Sequence, residues 1–137
     1  MNYSIPITIT GYSERRSRLA QALYWVPTIL LAVTELGSGV GDALRGEAAL
    51  TVFRHLGYPD YFALLLGVAK ILGGVAIIAP VPRLIREWAY AGITFDVLAA
   101  IISILAVGDP PTKVLIPVYV LSMTLISLWT WRKRTVN

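Results

Sequence analysis

The sequence predicts an all-α integral membrane protein, a four-helix bundle that forms one transmembrane domain over residues 1–137. Hydrophobic residues make up 56% of the chain and charged residues 15%, whereas charged residues are about 25% of soluble domains. Four apolar segments approach the roughly 20 helical residues that cross a hydrocarbon core of about 30 Å. None of them shows the alternation of a membrane β-strand, and irregular backbone cannot face lipid, so we expect helices.

The predicted spans are joined by short connections, with one exception. We place the spans at about residues 19–40, 61–79, 88–107 and 114–131. The first two are separated by GDALRGEAALTVFRHLGYPDY, which is too long for a tight turn and carries spaced apolar residues. We therefore expect a short amphipathic helix there, lying at the membrane surface and followed by the turn GYPD.

Lysine and arginine in the loops predict the orientation. Eight of them fall on one side of the predicted topology and three on the other. The eight are Arg15, Arg16, Arg18, Arg83, Arg86, Arg132, Lys133 and Arg134, and the three are Arg45, Arg54 and Lys113. Because cytoplasmic loops carry the excess of basic residues, both termini of this multi-pass protein are expected in the cytoplasm. The net charge of +4 is then a topology signal, and we expect no nucleic-acid partner.

Composition and spacing exclude several kinds of site. The chain has no cysteine, which excludes disulfides, thiol redox catalysis and thiolate-bound iron–sulfur or zinc centres. It has one histidine, which argues against a multi-histidine metal or haem site, so we expect no metal. The glycines of TELGSGVGD, residues 34–42, do not have the G-x-G-x-x-G spacing of a dinucleotide-binding loop and follow no predicted strand.

Ionisable residues inside the predicted spans are the candidate site. A rise of about 1.5 Å per residue places Lys70 and Asp96 near the midplane and Glu35 in the outer half of the first span. Asp42 follows Glu35 by two helical turns on the same face. A charge at a helix centre costs at least about 2.5–3.5 kcal/mol, so these side chains should face one another and not lipid. The small residues around Lys70 and Asp96 would let helices approach closely or leave space for a ligand.

Each candidate has a structural alternative. We expect Lys70 to pair with one carboxylate, while the other is protonated or available to a ligand. A Lys70–Asp96 pair could instead fix the register of the helices and add little net stability. His55 is predicted near the outer interface, where a solvated or capping role competes with a role in the site. Three acids near predicted helix ends can be explained by capping and turns, namely Asp42, Asp60 and Asp109.

The candidate residues follow from these arguments. The ligand-binding candidates are Glu35, Asp42, His55, Lys70 and Asp96. The candidates for acid–base catalysis are Glu35 and Asp96, although the sequence assigns neither a definite catalytic role.

A family resemblance is carried by FRHLGYPDYFALLLGVAKILGGVAIIAP, followed by PRLIREWAYAGITFDVLAA and AVGDP. These strings resemble the DoxX-like family of small four-helix membrane proteins, related to DoxX and DoxD, over roughly residues 20–131. The resemblance implies a bundle in the bacterial inner membrane. Its motif residues in this chain are Glu35, His55, Lys70, Glu87 and Asp96. Some members of the wider group are subunits of a thiosulfate:quinone oxidoreductase or associate with redox complexes, and distant eukaryotic relatives act in ion-channel assembly.

Three functions of different classes remain. The favoured one is a subunit of a membrane redox system that binds a quinone or another lipophilic small molecule, with the redox centre in a partner protein. The second is a membrane isomerase, cyclase or hydrolase that uses buried carboxyl groups for acid–base chemistry on a lipophilic substrate. The third is an assembly or scaffolding protein whose small-residue faces engage a partner helix or a second copy in a homodimer. Membrane lipids contact the protein in all three.

Overall fold

The computed structural model of the protein describes residues 7–136. Its helices are α1 (Ile7–Ala43), α2 (Glu47–His55), α3 (Asp60–Ile78), α4 (Arg83–Ala106) and α5 (Leu115–Val136), and a short 3-10 helix, Pro111–Val114, precedes α5. Four helical segments are long and apolar enough to cross a membrane, namely Ser13–Ala43, Asp60–Ile78, Arg83–Ala106 and Pro111–Val136. No strand occurs between residues 7 and 136. The predicted all-α membrane bundle of four helices is confirmed.

The four membrane helices pack as a ring in which each contacts two others. α1 packs against α3 and α5, and α4 packs against the same two helices, so α1 and α4 lie at opposite corners. The most extensive contact is between α1 and α3. Large apolar side chains on the outer faces are exposed, among them Leu65, Leu72, Phe95 and Ile102. Exposed apolar faces of this kind are what a membrane bundle presents to lipid.

Glycines explain why α1 and α3 lie so close. A Cβ atom on Gly39 of α1 would lie 2.9 Å from the backbone oxygen of Gly67 in α3. A Cβ atom on Gly74 of α3 would lie 3.0 Å from the side chain of Leu36 in α1. Small residues at such an interface let two backbones approach, which gains van der Waals contact where lipid offers no hydrophobic driving force. The glycines of TELGSGVGD therefore belong partly to a helix–helix contact.

Buried hydroxyl groups join α5 to α1 and α4. Ser127 of α5 lies within hydrogen-bonding distance of Thr28 in α1, at 2.6 Å, and of Tyr90 in α4, at 2.7 Å. All three side chains are buried. The polar groups of α1, α4 and α5 thus satisfy one another within the bundle, and interhelical hydrogen bonds of this kind help to hold membrane helices together.

The predicted amphipathic helix is confirmed as α2, which packs on α3. Phe53 is its buried residue, whereas Arg54 is exposed. The chain then turns at Gly57, whose φ of 89° lies in the left-handed region that glycine adopts at little cost. Arg54 donates two hydrogen bonds to Asp60, at 2.8 and 2.5 Å, and so ties the end of α2 to the start of α3.

Three acids near helix ends, for which capping and turns were the structural alternative, form ion pairs. Asp60 pairs with Arg54, Asp109 pairs with His55 and Lys113, and Asp42 pairs with Lys70. The helices α2, α3 and α4 begin without a side-chain cap. A basic side chain lies within reach of each acid, and pairing with a cation satisfies a carboxylate better than a neutral backbone donor does.

Candidate functional site

The bundle interior holds a group of four ionisable side chains, which we call the polar cluster: Glu35, Asp42, Lys70 and Asp96. α1 supplies the first two, α3 supplies Lys70 and α4 supplies Asp96. The structure therefore brings together four of the five ligand-binding candidates. They come from three helices. The depth of Glu35, Lys70 and Asp96 in their spans, and the helix face that Asp42 shares with Glu35, were the signals that predicted the meeting.

Lys70 lies at the centre of the polar cluster. Its Nζ donates a hydrogen bond to Asp42 Oδ2 at 2.9 Å and lies 3.8 Å from Asp96 Oδ2. The three side chains are only 15–20% exposed. The close approach of α1 makes this pairing feasible, because a Cβ atom on Gly39 would lie 2.9 Å from the Cβ of Lys70. Lys70 thus has two carboxylate partners where the sequence led us to expect one.

Glu35 is the residue of the polar cluster that forms no ion pair among residues 7–136. Its side chain is 3% exposed, and its Oε2 is buried without a hydrogen-bond partner among residues 7–136. A buried acceptor that lacks a partner costs free energy comparable to a lost hydrogen bond, about 1–3 kcal/mol. Such groups are common where a ligand, an ion or a water molecule completes the site.

The polar cluster is not balanced in charge. It has three carboxyl groups and one ammonium group, and charges inside a membrane have to be paired. One ammonium can neutralise one carboxylate. The site consequently has capacity for protons or for a ligand that donates hydrogen bonds.

Two cavities meet at the polar cluster, and both run along the interface between α3 and α4. The first, the Trp88 cavity, has a volume of about 350 Å³ and reaches Glu35. The second, the Phe53 cavity, has a volume of about 520 Å³ and lies beneath α2. Four residues line both cavities, namely Leu66, Lys70, Gly92 and Asp96. Lys70 and Asp96 therefore present their polar groups at the junction of two largely apolar spaces.

Small residues create this space. The walls between α3 and α4 include Ala69, Gly73, Ala76, Ala89 and Gly92. A Cβ atom on Gly92 would meet nothing within 4 Å, in contrast to the crowded glycines that join α1 and α3. The two uses of small residues that the sequence left open both occur, the close approach at α1–α3 and the open space at α3–α4.

Three aromatic residues that the sequence did not assign to the site line the Phe53 cavity, namely Phe53, Tyr58 and Phe62. The rings of Tyr58 and Phe62 stack with centroids 4.8 Å apart, and Phe53 packs edge-on against both. The Tyr58 hydroxyl lies 2.7 Å from Ser103 Oγ of α4. Their clustering around the GYPD turn was the available signal, but only the fold of α2 over α3 shows that they share a cavity.

His55 lies apart from the polar cluster. Its Nε2 is 2.9 Å from Asp109 Oδ2, and Lys113 Nζ approaches the same oxygen at 3.2 Å. The hydrogen bond from His55, reinforced by Lys113, holds the pKa of Asp109 below its usual range. The side chain of His55 is half exposed. This triad joins α2 to the connection before α5. The other motif residue, Glu87, pairs with Arg83 at 3.0 Å and also lies outside the polar cluster.

Comparison with known proteins identifies one family. The model of the DoxX-like family matches residues 26–127, which is more than half of the chain. The polar cluster, both cavities and the His55 triad lie within the matched residues. No curated protein and no solved structure matches the chain.

Proposed function

The chain belongs to the DoxX-like family, and from that starting point we propose that this membrane protein binds a lipophilic small molecule with a hydrogen-bonding head. Quinones are the class that we favour. The protein would act as a subunit of a membrane redox system, with the redox centre in a partner protein. The observation that carries the proposal is the position of Lys70 and Asp96 at the junction of two apolar cavities inside the bundle.

The chemistry of the site fits such a ligand. Lys70 Nζ is a donor for a carbonyl oxygen, and Glu35 Oε2 is a free acceptor for a hydroxyl group. Both residues line the Trp88 cavity. A quinone takes up electrons and protons when it is reduced to the quinol. The carboxyl groups of the polar cluster would hold and deliver protons close to the bound head.

The shape of the site also fits. Cavities of about 350 and 520 Å³ lie within the range of about 300–1,000 Å³ that small-molecule sites occupy. The stacked rings of Tyr58 and Phe62 offer a flat apolar surface to a conjugated ring. Because both cavities lie between α3 and α4, whose outer side chains Leu72 and Phe95 are exposed, a ligand could enter sideways from the bilayer.

Fluorescence titration tests this binding. Trp88 lines one cavity, so a short-chain quinone bound there should quench its emission saturably, and Trp88→Phe should abolish the saturable part. Asp96→Asn removes a charged partner of Lys70 and is expected to raise the Kd about tenfold or more. Asp60→Asn is the matched control, since Asp60 pairs with Arg54 outside both cavities. Equal affinity in Asp96→Asn and Asp60→Asn would contradict the proposal.

A second candidate is favoured by one observation, the buried and unpartnered Oε2 of Glu35. A carboxyl group held in this way can act as a general acid or base, as the carboxyl group of Asp96 could. The protein would then be an isomerase, cyclase or hydrolase for a lipophilic substrate. Product formation by the purified protein alone, lost in Glu35→Gln while quinone affinity is kept, would favour this candidate.

We also propose that the protein lies in the bacterial inner membrane with both termini in the cytoplasm. The excess of basic residues on the side of Arg132, Lys133 and Arg134 supports this orientation. The chain has no native cysteine, so single cysteines can report on each face. In intact cells an impermeant maleimide should label Thr112→Cys and leave Thr135→Cys unlabelled until the cells are opened. The reverse labelling pattern would show that both termini lie outside the cytoplasm.

A further inference from the structure

A third cavity lies at the end of the bundle where α1, α4 and α5 meet the connection after α3. We call it the interfacial cavity, and its volume is about 370 Å³. Its lining includes Tyr24, Ile78, Pro80, Arg86, Trp131 and Arg134. Arginine and tryptophan are the residue types that anchor helices at the boundary between hydrocarbon and headgroups. This lining is typical of headgroup depth, and the cavity shares no residue with the two cavities at the polar cluster.

Two guanidinium groups of this cavity are held by aromatic rings. The Cζ of Arg134 lies 4.5 Å from the centre of the Tyr24 ring, and the Cζ of Arg86 lies 5.7 Å from the centre of the Trp131 ring. Arg86 also donates a hydrogen bond to the backbone oxygen of Ala79 at 2.5 Å. These contacts fix the positions of both groups and leave their charges in place.

Arg86 and Arg134 differ from two other arginines of the chain, which pair with acidic side chains. Arg54 pairs with Asp60 and Arg83 with Glu87. Within residues 7–136, neither Arg86 nor Arg134 forms an ion pair, and no acidic residue of that range lines the interfacial cavity. The Nε of Arg86 is buried without a hydrogen-bond partner in the described part of the chain. Two positive charges thus line a cavity to which residues 7–136 contribute no acidic side chain.

We propose that the interfacial cavity binds the phosphate group of one anionic phospholipid. Guanidinium groups bind phosphate oxygens with paired N–H donors, and basic pockets between membrane helices are suited to anionic headgroups. Ile78 and Pro80 give the cavity an apolar wall for the first part of an acyl chain. This site is separate from the proposed quinone site and does not depend on it.

Native mass spectrometry of the delipidated full chain tests the proposal. Phosphatidylglycerol and phosphatidylcholine with the same acyl chains are added in turn, and inorganic phosphate is added as a competitor. We expect one phosphatidylglycerol to be retained per chain in preference to phosphatidylcholine. Arg134→Gln should weaken its retention about fivefold, the effect of one basic group near an anionic headgroup.

Controls separate this site from general surface charge and from unfolding. Arg83→Gln removes the same charge from an exposed arginine on the same side of the bundle, and we expect it to retain phosphatidylglycerol as the wild type does. Arg134 is exposed, so its variant should keep the wild-type thermal midpoint, and Arg86→Gln provides a second test. Equal retention of the two lipids, or equal losses in Arg83→Gln and Arg134→Gln, would overturn the proposal. Displacement of the lipid by millimolar phosphate would assign the site to free phosphate instead.

Discussion

Gly67→Ala is expected to destabilise the bundle severely. A Cβ atom at this position would lie 2.4 Å from the backbone nitrogen of Ala43 and 2.6 Å from the backbone oxygen of Gly39. Backbone atoms cannot rotate away as a flexible side chain can, so α1 and α3 would have to separate. Overpacking of this kind costs about 1–3 kcal/mol and occasionally more. The separation would also draw Asp42 away from Lys70, because Asp42 adjoins Ala43 in α1.

The experiment compares thermal midpoints in one detergent, with Gly37→Ala as the matched control. Gly37 lies in α1 two residues before Gly39, but it is exposed, and a Cβ atom there would meet nothing within 4 Å. Alanine should therefore be tolerated at residue 37. It should raise the free energy of unfolding by about 0.5–1 kcal/mol, because glycine is disfavoured inside a helix. Equal midpoints for Gly67→Ala and Gly37→Ala would show that the close contact of α1 and α3 does not stabilise the protein.

Lys70→Met is the second change with a large expected effect. It removes the ammonium group and leaves Asp42, Asp96 and Glu35 without the cation that the polar cluster now contains. Removing one partner of a buried pair costs about 3–5 kcal/mol, because the other charge stays buried and uncompensated. The free energy of unfolding should fall accordingly, and Lys70→Met/Asp42→Asn should recover part of the loss.

Lys113→Met is the control for Lys70→Met. Lys113 also pairs with an aspartate, Asp109, but its side chain is 55% exposed, and exposed pairs contribute at most about 1 kcal/mol. Equal losses in the two variants would contradict the buried role of Lys70. Size-exclusion chromatography of the same samples addresses the assembly function. A change of oligomer size in Lys70→Met at unchanged stability would favour a scaffolding protein over a ligand pocket.

The sequence predicted the fold and most members of the polar cluster for one physical reason. A charge inside the hydrocarbon core is so costly that Glu35, Lys70 and Asp96 had to face the interior. The partner of Lys70 was not predictable in the same way. It depends on how far α1 stands from α3, and that distance is set by the contact of Gly39 with Gly67.

The residues of α2 that line the site could not be predicted from their depth in the membrane. His55 and Phe53 are neighbours in one short helix, and the sequence drew attention to the histidine. In the structure His55 joins a surface triad with Asp109, whereas Phe53 points into a cavity beside Lys70. The spaced apolar residues predicted that α2 has an apolar face, but the cavity that this face covers beside Lys70 follows from the packing of α2 on α3, a tertiary contact that periodicity does not specify.

The most direct test of the proposed pocket is to extract the protein, purified in mild detergent, with organic solvent and to analyse the extract by mass spectrometry. We expect a quinone or another lipophile in stoichiometric amount in the wild type and in Asp60→Asn, and its loss in Asp96→Asn. An equal amount in Asp96→Asn, or bulk phospholipid alone in every sample, would contradict a quinone held at Lys70 and Asp96.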